Sequence, residues 1–141
     1  MTIEQLEIVS YLNRAFHLNN KIKALEAIKD SNKFLSATNY ERDGSVNGKN
    51  ENNAENKMMK ALELAERIEC DKKTLQSLVY EIYEVISNVE DDEAYTILTY
   101  RYLCYMTTEQ IAEAMNYSIR SVQSKHKKAI TNIALICTPN V

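Results

Sequence analysis

The sequence predicts an all-α chain: a long helical hairpin followed by a C-terminal three-helix unit. Three observations lead there. Glycine occurs twice and proline once in 141 residues, too few turn formers for the many strand ends of a sandwich or barrel. Hydrophobic residues make up 45% and charged residues 26%, enough to build a core beneath a charged surface. Apolar residues recur in steps of three and four, the period of an amphipathic helix.

The first stripe is Ile8, Leu12, Ala15, Leu18, Ile22, Leu25 and Ile28, which predicts one helix from about Thr2 to Lys29. Thr2 with Gln5 three residues on has the form of a capping box. Residues 30–55 break the period. They hold Gly44, Gly48 and much of the asparagine, and read as a long polar loop. Periodicity returns from about Ala54 to Val89 through Met58, Leu62, Ala65, Ile68, Leu75, Leu78, Ile82, Val85 or Ile86, and Val89. Lys72 interrupts that stripe, so a kink or break is expected near Cys70-Asp71. Neither long helix can bury its stripe alone; antiparallel packing, or a second subunit, would cover it.

Residues 91–141 form the second part. A helix is expected from Asp92 to Tyr105, with Leu98, Tyr102 and Leu103 inward and an acidic first turn suited to the helix dipole. A second runs from Thr108 to Met115, opened by a Thr107–Gln110 capping box with Met106 placed as a staple to Ile111. A third follows the N-cap Ser118 and runs to about Ile136, before Pro139.

The chain carries a net charge of −3, but the acids stop early. From Ala114 to the end there are Arg120, Lys125, Lys127 and Lys128 and no Asp or Glu. That basic stretch can meet phosphate despite the acidic total. It coincides with a helix-turn-helix pattern. Ala112 is small where two helices cross, and Ile111, Met115 and Val122 supply inner faces. Asn116 stands at the turn, where a left-handed backbone is required and Asn is tolerated. The third helix then offers a polar face fit for the major groove. Arg120 can read guanine and Gln123 adenine. Lys125, Lys127 and Lys128 suit phosphates, as do the amides of the helix start at Ser118. The candidate DNA-binding residues are Thr108, Tyr117, Ser118, Ile119, Arg120, Ser121, Gln123, Ser124, Lys125, Lys127 and Lys128.

On these residues the sequence resembles region 4 of sigma-70 factors. The match lies in Ile97-Leu98-Thr99-Tyr100-Arg101-Tyr102-Leu103, Thr107-Thr108-Glu109-Gln110-Ile111-Ala112, Tyr117-Ser118-Ile119-Arg120-Ser121-Val122 and His126-Lys127-Lys128-Ala129-Ile130. Gln110, Asn116 and Ile130 stand where that family often has Glu, Gly and Leu. With its helix, polar loop and long helix ahead of this module, the chain is similar to small prophage regulators, including the RinA and ArpU type late-gene activators. The resemblance implies a phage-type transcription regulator that binds double-stranded DNA and acts with host RNA polymerase. Residues 1–90 lack the aromatic and basic cluster with which a complete sigma factor melts DNA.

Other features have plainer readings. His126 could touch a phosphate or the polymerase, or simply sit on the helix surface. Cys104 beside Leu103 reads as a buried small hydrophobe, and Asp91-Asp92-Glu93 as a charged helix start. Two histidines and the scattered Cys70, Cys104 and Cys137 make neither a zinc site nor a catalytic constellation. The two glycines cannot write a dinucleotide fingerprint or P-loop. An enzyme, a metal or a cofactor is not expected. Without a secretory start, a membrane-length apolar run or paired cysteines, a cytoplasmic location is. A single module makes few phosphate contacts, so a homodimer or higher homo-oligomer through the long helices is expected. Two rival readings also fit: a DNA-packaging subunit of the small terminase type, and a mimic of sigma region 4 that binds polymerase without DNA.

Overall fold

A computed structural model describes residues 1–31 and 49–137 of the chain. Its described elements are all helical: α1 (Ile3–Leu12), α2 (Arg14–Asp30), α3 (Lys49–Ser87), α4 (Asp92–Leu98) continued by a π-helical turn (Thr99–Leu103), α5 (Thr108–Met115) and α6 (Ile119–Cys137). The expected polar loop falls largely on residues 32–48, outside the described residues. Its end does not: residues 49–55 are the start of α3. No described helix is long and apolar enough to cross a membrane.

The expected first helix is two. Thr2 and Gln5 form the capping box, but Asn13 adopts φ −78°, ψ −5° between α1 and α2. Arg14 Nε, at the start of α2, donates back across that turn to the Tyr11 carbonyl at 3.1 Å. The break expected in α3 near Cys70 does not occur. Lys72 lies on the helix surface, its ammonium 3.5 Å from Glu26 Oε2, so the stripe yields there without breaking the backbone.

The chain divides into two compact units, Met1–His17 with Leu75–Val141, and Leu18–Thr74. Packing thus groups the first seventeen residues and the end of α3 with the C-terminal helices, whereas the sequence places a boundary near residue 90. In the unit Leu18–Thr74, Ile22 and Ile68 are buried. Met58 and Leu62, expected in the buried stripe, are exposed, as is Met59.

In the other unit α6 is central and packs against α1, α4 and α5. Leu12, Ala15, Ile82, Ile86, Val89, Ala94, Leu98 and Tyr102 gather around Ala129, Ile130 and Ile133 of α6. A smaller cluster joins Ile97, Ile111, Ala112 and Val122, with Met106 and Met115 against it. Arg14 and Tyr11 both engage Glu81 of α3, at 3.3 and 2.7 Å.

The π turn corrects two expectations. A straight α-helix would carry Cys104, one heptad after Ile97, onto the same buried face. The wider turn, closed by Cys104 N–H to Thr99 O at 3.0 Å, rotates it out, and Cys104 is exposed. Tyr105 then takes a left-handed φ of 58°, and the helix ends before it.

His126 also turns inward instead of lying on the surface. It is half-buried, with its ring nitrogen Nε2 2.6 Å from the hydroxyl of the buried Tyr102. Burial, with the Arg101 charge nearby, pushes the imidazole down to about 4. Burial pushes the phenol up to about 12. Both groups are neutral near pH 7, and the imidazole tautomer sets which of them donates in this bond.

Two outcomes follow from this packing. Between pH 6.5 and about 4 the unfolded chain takes up a proton at His126 that the folded chain refuses. Stability should therefore fall as pH drops through that window, by up to roughly 3 kcal/mol from this group. His126→Gln, which keeps a neutral hydrogen-bonding partner for Tyr102, should flatten that part of the profile. Urea unfolding of both proteins at about pH 7 and about pH 5 measures this; equal losses would refute it. At Asn116, whose φ is 58°, Asn116→Gly should be neutral or stabilising, whereas Asn116→Val should cost about 1–2 kcal/mol. The same denaturation assay decides it.

Candidate nucleic-acid interface

The stretch that carries the candidate residues is built by its helix ends. Thr107 and Gln110 form a reciprocal capping box at the start of α5, with Thr107 Oγ1 accepting from Gln110 N–H at 3.2 Å and Gln110 Oε1 accepting from Thr107 N–H at 2.9 Å. Met106 and Ile111 share the smaller apolar cluster, as a hydrophobic staple requires. At the other end Asn116 is left-handed, and Tyr117 N–H bonds back to Ala112 O at 2.9 Å. This is the Schellman arrangement, with Asn where Gly is commoner. Ser118 then caps α6, its Oγ accepting from Ser121 N–H at 3.1 Å.

Ala112 and Val122 are both buried in the cluster between α5 and α6. The α6 stripe Val122, Ala129, Ile130 and Ile133 faces the interior. With 3.6 residues per turn, the opposite side is then fixed. It presents Arg120, Gln123, Ser124, Lys127 and Lys128, all exposed. Ser118 and Ile119 are exposed beside them, and Ser121 is half-buried at the edge. The face closes one turn beyond Lys127, where Gln5 Nε2 from α1 donates to Thr131 Oγ1 at 2.8 Å. The open surface is therefore the first half of α6.

Three candidates pair with side chains of other elements. Thr108 Oγ1 accepts from Arg101 Nη1 at 2.7 Å, which ties the π turn to the start of α5. Lys125 Nζ lies 2.7 Å from Glu93 Oε2 and 5.0 Å from the centre of the Tyr117 ring. Tyr117 donates its hydroxyl to the same Glu93 oxygen at 3.1 Å. These bonds, from Lys125 first and Tyr117 second, hold the Glu93 carboxyl below its ordinary range. The bond to Glu93 raises the Lys125 ammonium in turn.

Glu93 was not among the residues the sequence pattern assigned to the site. In the sequence it is one of three acids at a helix start, and Asp91 plays the ordinary part, its Oδ2 capping α4 through Ala94 N–H at 3.1 Å. Only the packing of α4 on α6 reveals that Glu93 reaches the basic helix. His126, on the same helix, faces Tyr102 and takes no place on the exposed side. Among the described residues no group of His, Cys, Asp or Glu side chains could hold a metal ion.

The arrangement offers an acid-free polar rod with two long hydrogen-bonding side chains near its N-terminal end and lysines along one flank. Arg and Gln are the side chains that pair bidentately with guanine and adenine, and Lys is a point charge for phosphate. No family model, curated protein or solved structure matches this chain.

Proposed function

We propose that this chain is a sequence-specific DNA-binding transcription regulator of phage or prophage type. In this reading α4, α5 and α6 act as a sigma-region-4-like helix-turn-helix, and α2 and α3 as a long helical hairpin for self-association. The observation that carries it is the exposed face Arg120, Gln123, Ser124, Lys127 and Lys128 on a helix whose other side is locked into the core. Arg120 and Gln123 sit in the first turns of α6, where a helix laid into the major groove meets base edges. Lys127 and Lys128 lie further along, where the groove walls bring phosphates. The link to phage regulation and to RNA polymerase rests on the sequence resemblance.

A second copy is part of the proposal. One module of this size makes too few contacts for tight specific binding. The unit Leu18–Thr74 exposes Met58, Met59 and Leu62 together on α3, an apolar face that pairing of two chains would cover. Light scattering on the full chain is expected to report a dimer that Leu62→Glu converts to monomer. A closed ring of many subunits would favour the DNA-packaging alternative instead.

The DNA reading is tested by selecting duplexes from a random pool and measuring anisotropy on the enriched site. Arg120→Ala and Gln123→Ala should each cost about 1–3 kcal/mol on that site and far less on unrelated duplex. Lys127→Gln and Lys128→Gln should weaken both kinds of duplex alike and lower the salt slope by roughly one each. Failure to bind any duplex at low salt, together with capture of RNA polymerase, would leave the sigma-mimic reading in its place.

A further inference from the structure

Glu93 holds both side chains that flank the exposed face of α6 on its α4 side. Its Oε2 receives the Lys125 ammonium at 2.7 Å and the Tyr117 hydroxyl at 3.1 Å. A DNA phosphate would present the same chemistry: an anionic oxygen accepting one ammonium and one phenol. Lys125 lies at the edge of the open stripe, five residues past Arg120 and so turned some 140° from it, toward α4. That is the flank on which a groove-bound helix meets a sugar-phosphate backbone. Both members of the ion pair are partly exposed, with side-chain accessibilities of 34% and 45%. A pair so placed exchanges partners readily, because water screens it and its net contribution is small.

We propose that Glu93 is an internal competitor for DNA phosphate, occupying Lys125 and Tyr117 in the free protein and tuning duplex affinity downward. This rests on the DNA-binding reading above and names a positioning residue within that same site. Its consequence is specific. A lysine that reaches phosphate ordinarily releases a condensed counterion from DNA, which steepens the salt dependence of binding. Lys125 brings its own anion. When it turns to phosphate it strands the Glu93 carboxylate beside the duplex, and that carboxylate must recruit a cation. The counterion gain at this position cancels. Lys127 and Lys128, which have no acidic partner among the described ion pairs, keep theirs.

The test compares wild type, Glu93→Gln, Lys125→Gln and the double variant on one enriched duplex and one unrelated duplex, from about 50 to 200 mM salt. Glu93→Gln should tighten binding to both duplexes, roughly three- to tenfold at the low-salt end, and steepen the slope by about 0.9. Lys125→Gln alone should leave the slope nearly unchanged, and in the Glu93→Gln background it should erase the gain. An unchanged or weakened Glu93→Gln protein, or a gain that survives loss of Lys125, overturns the proposal.

A second measurement needs no variant. With carbon-13 glutamate in the wild-type chain, the Glu93 carboxyl should titrate higher once duplex is added; no movement overturns the proposal as well. The two failures are distinguishable. If wild type binds duplex and Arg120→Ala impairs the enriched site, the DNA reading stands whatever Glu93 does. If neither wild type nor Glu93→Gln binds duplex at low salt, the DNA reading fails and takes this inference with it.

Discussion

The burial of one side of α6 is the constraint on which the rest depends. Val122, Ala129, Ile130 and Ile133 are almost completely removed from solvent. Each buried branched side chain contributes about 1.5–3 kcal/mol relative to exposure, so rotating α6 about its axis would forfeit several such contributions at once. Three neighbours enclose it. Helix α5 covers Val122, while α4 and α1 lie against the stripe further along. Ala129 and Ala112 matter for their size, since a bulkier residue at either point would push the helices apart. With the inner side locked, the outer side is settled by helical geometry, and Arg120, Gln123, Ser124, Lys127 and Lys128 have nowhere to face but solvent.

Helix ends decide where that face points. Asn116 turns left-handed and returns two amides to the last carbonyls of α5. Ser118 then restarts the chain as α6. Tyr105 plays the corresponding part between α4 and α5, also at φ 58°, with Met106 N–H reaching back to Tyr100 O at 2.9 Å. That reach is longer than an α-helical cap requires, because the turn before it is π-helical. A tyrosine in this conformation carries backbone strain. Contact with Phe16, at a ring separation of 5.9 Å, and packing beside the main cluster offset it.

Electrostatics overlays this frame without building it. The chain is net negative, yet its acids and bases are sorted so that one rod is free of acid. A field of that kind raises the local concentration of anions at the exposed side while the remainder of the surface repels them. The acidic start of α4 lies alongside. Asp91 commits its carboxylate to a helix cap and Glu93 reaches across to α6. One short acidic run thereby serves two purposes, one local in the chain and one across the fold.

The features readable from residue order were local ones. The capping boxes at Thr2 and Thr107, the staple of Met106 on Ile111, the left-handed Asn116 and the Ser118 cap each involve residues within a few positions of one another. Short-range chemistry specifies such features whatever surrounds them. The period of α6 likewise marks its buried and exposed sides, because a regular helix converts spacing into direction. Beyond that reach the chain order was silent or misleading. A run of apolar residues looks the same whether a turn interrupts it at Asn13 or not, and the same spacing does not say whether Met58 and Leu62, exposed in the single chain, are covered by a neighbouring helix or by a second subunit. Periodicity assumes a straight α-helix, so a single π turn reversed the exposure of Cys104. The inward His126 and the Glu93–Lys125–Tyr117 cluster join side chains 24 or more residues apart. Their pairing depends on how α4 lies against α6, a matter of packing that no local pattern encodes.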